Sequence, residues 1–355
     1  MDKTYPLETL PHAFPVLVNT GQIRSQPEDF AVDEELGFTF TNAGEHVMLR
    51  IRKTARNTDD VARQLARFAK VSRKSVSYAG LKDKNAVTSQ FFSVHLPSQQ
   101  DPDWQQLADS SIEVLAVTRH QKKLKRGALS RNHFRLLIRE FSGDRGMTEQ
   151  RLQLIRQQGV PNYFAGQRFG HANSNLVMAE EMLIQGKRVK DRFRRNLFYA
   201  AARSWLFNLV LAERIRSANW NRAIAGDSMM LKGSRSTFHI DSVDEEIISR
   251  VVEMDISPTG PLWGSGQHRV SAVALQIEND VLKDWQGWMK GLEKAGMQLA
   301  RRALRVAVQD LCWEWPENNQ LQLSFSLAPG SYATAILREL GEFSEPLTSP
   351  RSLQQ

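Results

Sequence analysis

The segment Gly80-Leu-Lys-Asp-Lys-Asn-Ala-Val-Thr-Ser-Gln90 holds a single carboxylate, Asp83, between Lys82 and Lys84. Flanking ammonium groups favour the ionised carboxylate, the form that acts as a nucleophile or base. Gly80 is expected to let the backbone come close to another group. Thr88 and Gln90 follow, with a hydroxyl and an amide able to hydrogen-bond the edge of a heterocycle. The same residues also describe a solvated turn, because Asp and Gly are common in turns.

A second constellation lies downstream. Arg119, Lys122, Lys123, Lys125, Arg126, Arg131 and Arg135 fall within one short stretch, interrupted by Leu124, Leu129 and Phe134. Phosphates supply the affinity of such patches, and flat side chains stack on exposed bases. Asn132 adds an amide that donates and accepts at once, as a uracil edge also does. The plain alternative is a charged loop beside an ordinary strand. A third stretch, Asn162-Tyr-Phe-Ala-Gly-Gln-Arg-Phe-Gly170, reads as a packed corner, a hinge at a domain border.

Other chemistries find no support. Glu34 and Glu35 are neighbours, so on a strand they face opposite ways and cannot act as a pair. Phe30, after Pro27-Glu-Asp, is either core or a stacking surface. The eight histidines show no HxxxH or HxH spacing, so no metal site is expected. Neither GxGxxG nor GxxxxGK[ST] is present, so nucleotide cofactors have no visible home.

The 355 residues carry 47 Lys+Arg against 39 Asp+Glu, a formal charge of +8, which points to a polyanionic partner. With 41% hydrophobic and 24% charged residues the chain has a globular balance. Cys312 is the only cysteine, which excludes an intrachain disulfide and fits a reducing compartment. The opening MDKTYPLETLPHAF lacks a basic end followed by an apolar run, so no signal peptide is expected there, and no apolar run is long enough for a membrane span. A cytoplasmic protein, monomeric and away from membranes, is expected.

Positioning these residues requires strands around 23–53, 90–96, 134–140 and 321–327, where apolar and polar residues alternate. Helices are expected from an N-cap at Thr58, after a cap at Ser72, over 149–158, from Asp191 to Ser217, over 279–303 and from Tyr332 to Leu340. Short strands fill 226–275. Strand-rich ends around a helix-rich middle suggest one sheet domain built from 1–157 and 307–355, with a domain inserted over 158–306.

Three motifs carry a resemblance over nearly the whole chain: Pro27-Glu-Asp-Phe30, Gly80 through Gln90, and Asn162 through Gly170. They resemble the TruD family of tRNA pseudouridine synthases. The resemblance implies an α+β fold, a pseudouridine-synthase catalytic core around a mixed, mainly antiparallel sheet with an inserted α/β TRUD domain. It implies a tRNA-modifying isomerase that converts uridine to pseudouridine, at position 13 of tRNA, without cofactor. Asp83 matches the catalytic aspartate, as nucleophile at C6 of the base or C1′ of the sugar, or as the base that takes a sugar proton. Phe30, Asn132 and Tyr332 match positions that hold the target nucleotide. Arg24, Lys82, Lys84, Phe134, Thr88 and Gln90 are supporting candidates, and any of Arg24, Lys82 and Lys84 is placed to pair with Asp83. Arg119, Lys122, Lys123, Lys125, Arg126 and Arg131 form the expected RNA-backbone patch. Departures from the family pattern are Ala165, where glycine is expected, and Arg131, where a small residue is more usual. The alternatives are a non-catalytic RNA-binding or chaperone protein and a cofactor-dependent RNA methyltransferase.

Overall fold

The computed structural model describes residues 5–97 and 100–346. Met1–Thr4 of the opening segment and residues 347–355 at the end of the expected catalytic segment lie outside them. The chain divides into two compact units. One holds residues 17–152, 308–333 and 340 onward; the other holds residues up to 16, 153–307 and 334–339.

The first unit is built on a ten-stranded sheet. Its strands are β1 (Thr20–Gln22), β2 (Phe30–Leu36), β3 (His46–Thr54), β4 (Val76–Tyr78), β5 (Val87–His95), β6 (Ile112–His120), β7 (Leu129–Ser142), β8 (Gln309–Glu314), β9 (Leu321–Leu327) and β10 (Glu342–Ser344). The main path runs β8-β9-β7-β2-β5-β3-β6, with β4 on β5, and β1 between β7 and β10. Two pairings are parallel, β2 with β5 and β1 with β10; the others are antiparallel. The sheet is therefore mixed and mainly antiparallel, as the resemblance implies.

One face of this sheet is apolar along the middle of β3 and the end of β5. Val47, Leu49 and Ile51 of β3 and Phe92 and Val94 of β5 are buried there. Helix α1 (Thr58–Phe68) covers them with Val61, Ala62, Leu65 and Ala66, spaced for one helical face. Asp59 and Asp60 stand in the first turn of α1, where the helix dipole favours negative charge. The expected N-cap differs, since Asn57 holds that position and Thr58 is already helical. The Thr58 hydroxyl is engaged elsewhere, donating to Gln90 Oε1 at 2.9 Å and accepting from the Lys82 N–H at 3.0 Å. Ser72 precedes a single 3-10 turn, Arg73–Ser75, without a side-chain capping bond.

The other unit carries a four-stranded sheet, in the order Thr237–His239, Ser228–Leu231, Ile256–Leu262, Ala300–Ala303. Helices Ser174–Leu183, Arg192–Arg216, Glu245–Val252, Ala272–Leu282 and Gln286–Lys294 belong to the same unit. The long helix starts where Asp191 predicts it, with the Asp191 carboxylate accepting from the Arg194 N–H at 2.7 Å. The expected helix over 279–303 is wrong at its end, because Ala300–Ala303 pairs as a strand with Thr259–Leu262. Tertiary pairing overrides propensity there. Arg301 donates to the Thr259 carbonyl at 2.7 Å and to buried Glu278 at 2.6 Å. The Asn162–Gly170 corner is packed: Tyr163, Phe164 and Phe169 are buried, and Asn208 exchanges hydrogen bonds with both main-chain groups of Phe164.

Candidate active site

Strand registers place most of the expected site residues on one face. Phe134 of β7 lies opposite Val32, and Asn132 opposite Glu34, so both share a face with Phe30. Thr88 of β5 is opposite Val32, and Lys53 of β3 is opposite Thr88. Gln90 falls on the same face two residues on. This is the face that α1 covers further along, so the site continues the core surface. Glu34 and Glu35 do point opposite ways: Glu34 is buried and Glu35 is half-buried.

Asp83 sits on the turn before β5, with its side chain 48% exposed. Its carboxylate pairs with Arg24, Nη2 to Oδ2 at 3.1 Å. Arg24 is nearly buried, and its other terminal nitrogen lies 2.6 Å from Glu345. Its guanidinium stands 4.1 Å over the Phe30 ring. Arg24 adopts φ 56°, a left-handed conformation that costs a non-glycine residue about 1–2 kcal/mol. Strain of this kind persists where surrounding contacts over-determine it.

The flanking lysines are not equivalent. Lys82 turns inward, with its ammonium 2.9 Å from the fully buried Glu34 carboxylate and donating to Asn132 Oδ1 at 2.8 Å. Lys84 is exposed. Of the three expected basic partners, Arg24 makes the ion pair with Asp83.

Sequence reasoning misses one further residue. Lys53 is fully buried, and its ammonium donates to the Asp83 main-chain carbonyl at 2.8 Å. Burial pulls its pKa from 10.5 down to about 8, against the opposing pull of Asp83 and with a smaller push from Lys82. The signal is present in the sequence. Val47, Leu49, Ile51 and Lys53 follow one another at period two, which puts a lysine on the apolar face.

Gly80 does not have the expected role. A Cβ there meets nothing within 4 Å, so no close approach requires a glycine. Its carbonyl accepts from Gln90 Nε2 at 3.2 Å, and Gln90 is fully buried. Gln90 thus ties the Asp83 turn to α1 through Thr58. Thr88 is also fully buried, and its hydroxyl is without a hydrogen-bond partner among the described residues.

Phe30 is 3% exposed, edge-on to Phe134 at 6.2 Å, and Phe134 stacks on Phe325 at 5.3 Å. Tyr332 is 41% exposed and stands just past β9, whose Leu327 lies opposite Asn132. In the basic stretch, Leu124 is buried and its N–H donates to Ser93 Oγ, which pins the loop. Lys122, Lys123, Lys125 and Arg126 remain exposed. Arg119 instead binds Asp101 and the carbonyls of Gly44 and Leu96, and Arg131 lies 3.3 Å from Glu35.

The chain is similar to known proteins over most of its length. The family model described as tRNA pseudouridine synthase D (TruD) matches residues 18–190 and 187–340. A tRNA pseudouridine synthase D from Methylococcus capsulatus is 48% identical over 95% of both chains. Those of Nitrosococcus oceani and Legionella pneumophila are 43% and 42% identical, over 95% and 94% of this chain and 94% and 98% of theirs. A crystal structure of a candidate TruD protein from Methanosarcina mazei superposes with a TM-score of 0.74 at 22% identity, covering 96% of this chain and 98% of that one.

Proposed function

We propose that this chain, which belongs to the tRNA pseudouridine synthase D (TruD) family, isomerises uridine to pseudouridine in tRNA with Asp83 as its nucleophile. The observation that carries the reading is the half-exposed Asp83 carboxylate held against Arg24 at 3.1 Å. An ionised, oriented and accessible carboxylate is what nucleophilic catalysis needs. In the reaction the N1–C1′ bond breaks, the freed uracil turns in place, and C5 bonds to C1′. The C5 proton leaves and N1 gains one, so the product is an isomer and no cofactor is consumed.

A uridine in folded tRNA must leave its stack before its sugar carbon is reachable, at a cost of a few kcal/mol. Asn132, held by Lys82, has an amide suited to a uracil edge. Phe30, Phe134 and Tyr332 supply aromatic surface, and Lys122, Lys123, Lys125 and Arg126 supply phosphate contacts. Position 13 of tRNA and a cytoplasmic location follow from the same reading. The unit that carries Asp83 is then the catalytic domain, and the unit that contains 158–306 the TRUD domain.

Incubating the pure protein with unmodified tRNA in cofactor-free buffer, and mapping pseudouridine, tests this directly. The expected product is pseudouridine at one site, lost in Asp83→Asn while tRNA still binds. Binding without any product favours the non-catalytic RNA-binding reading.

A further inference from the structure

We infer that Arg188, Lys190, Arg192, Phe193 and Arg194 form a second RNA-docking surface, on the unit that does not carry Asp83. The inference rests on tRNA being the substrate. The segment Lys187–Arg195 has six cations and one acid, Asp191. That acid is committed, since its carboxylate caps the long helix through the Arg194 N–H. Lys187 pairs with Glu181, and Arg195 donates to the Val189 carbonyl at 3.0 Å. Arg188, Lys190, Arg192 and Arg194 have no carboxylate partner among the described residues, and all four are exposed. Arg194 does stand 6.0 Å over the Phe198 ring, but none of the four charges is neutralised, and such a cluster is an electrostatic footprint for a polyanion.

Phe193 makes the polyanion a nucleic acid. Its side chain is 76% exposed, the most exposed aromatic ring among the described residues. Phe198 is buried at 3% on the same helix. Five residues correspond to roughly 140° of rotation beyond one full turn, so Phe193 points well away from the core face. Packing within the unit does not account for the ring. A bare aromatic among arginines without carboxylate partners fits stacking on an unpaired base with phosphates on either side. An anionic lipid surface is the competing polyanion. The single ring in a stretch this hydrophilic favours RNA, because membrane-surface helices present a broad apolar face.

The test uses the full chain and an unmodified tRNA transcript, with fluorescence anisotropy across a salt series and steady-state turnover. Arg188→Ala/Lys190→Ala/Arg192→Ala is expected to raise Kd and KM by about tenfold at physiological salt, and to flatten the log Kd–log salt slope by about 2–3. The kcat should stay within about twofold, because these residues take no part in the chemistry. Phe193→Ala should weaken binding by about tenfold with the slope unchanged, and Phe193→Trp should restore it. All of these positions are exposed, so thermal unfolding should not shift. Wild-type Kd and salt slope in both the triple variant and Phe193→Ala would overturn the inference. So would variants that lose binding to phosphatidylserine vesicles but keep it to tRNA. If the wild type binds tRNA without modifying it, the catalytic reading fails, yet the anisotropy comparison still decides this surface.

Discussion

Arg24 holds Asp83 and Glu345 with one guanidinium, at 3.1 Å and 2.6 Å, while the same group covers the Phe30 ring. The fork of donors is what lets a single side chain serve two carboxylates. Arg24→Lys keeps the charge but loses the fork and the flat contact on Phe30, so turnover is expected to fall, by up to about tenfold. Arg24→Ala removes the electrostatic partner and should lower kcat by about 10²-fold, the scale seen when a positioned donor is lost from an active site. Asp83→Asn should cost at least about 10³-fold with tRNA affinity nearly unchanged. Single-turnover pseudouridine formation measures all three. A fully active Asp83→Asn would remove the catalytic assignment.

Lys53 gives the site a pH dependence with a definite sign. Its folded pKa is about 8, below the ordinary 10.5, so the folded protein releases this proton first. Between those values the unfolded chain binds more protons, and stability therefore rises with pH. Over that window the gain is about 3 kcal/mol at most. Activity should move the other way, since deprotonation removes a positive charge next to the Asp83 turn. We expect kcat to fall above pH 8 in the wild type and the stability gain to vanish in Lys53→Met. Chemical unfolding and rate profiles between pH 7 and 10 measure both. A Lys53→Met protein with wild-type kcat and an unchanged alkaline limb would rule the residue out of the site.

Where the sequence is legible, a strict period is present. Leu321–Leu327 alternates without exception and is a strand over the same residues. Asp191 caps the long helix because an acid immediately precedes the helical pattern. The Arg24–Asp83 pair joins residues far apart in the chain, and no periodicity links them. Thr58 has the residue type of a cap, but tertiary contacts with Gln90 and Lys82 claim its hydroxyl. Gly80 suggests a close approach, and the space beside it is open. Lys82 and Lys84 are equivalent as letters; only the partner Glu34 on β2, itself buried, separates them.

The Lys82–Glu34 pair makes a sharp stability prediction. Glu34 is fully buried and Lys82 nearly so, with the charges 2.9 Å apart. Lys82→Met strands a buried carboxylate and should destabilise the fold by about 3–5 kcal/mol. Adding Glu34→Leu removes the stranded charge and should recover most of that loss. The Asn132 amide then lacks its donor, so tRNA turnover should stay low in the recovered double variant. Urea unfolding of the two single variants and the double variant checks the cycle. Additive losses would mean that the two charges do not depend on each other.

Phe30 is both a core ring and the surface beneath Arg24, which fixes how its role is tested. At 3% exposure, Phe30→Ala should cost about 3–5 kcal/mol, and the loss of activity would then be uninformative. Phe30→Leu keeps apolar volume and should hold stability within about 1.5 kcal/mol. It removes the flat face, so turnover should fall by about tenfold if a base stacks there. A base on that face has to displace the guanidinium 4.1 Å above it. The effects of Phe30→Leu and Arg24→Lys on kcat/KM should therefore be non-additive by more than about 0.5 kcal/mol. Additivity in that cycle, with Phe30→Leu at full activity, would assign Phe30 to packing alone.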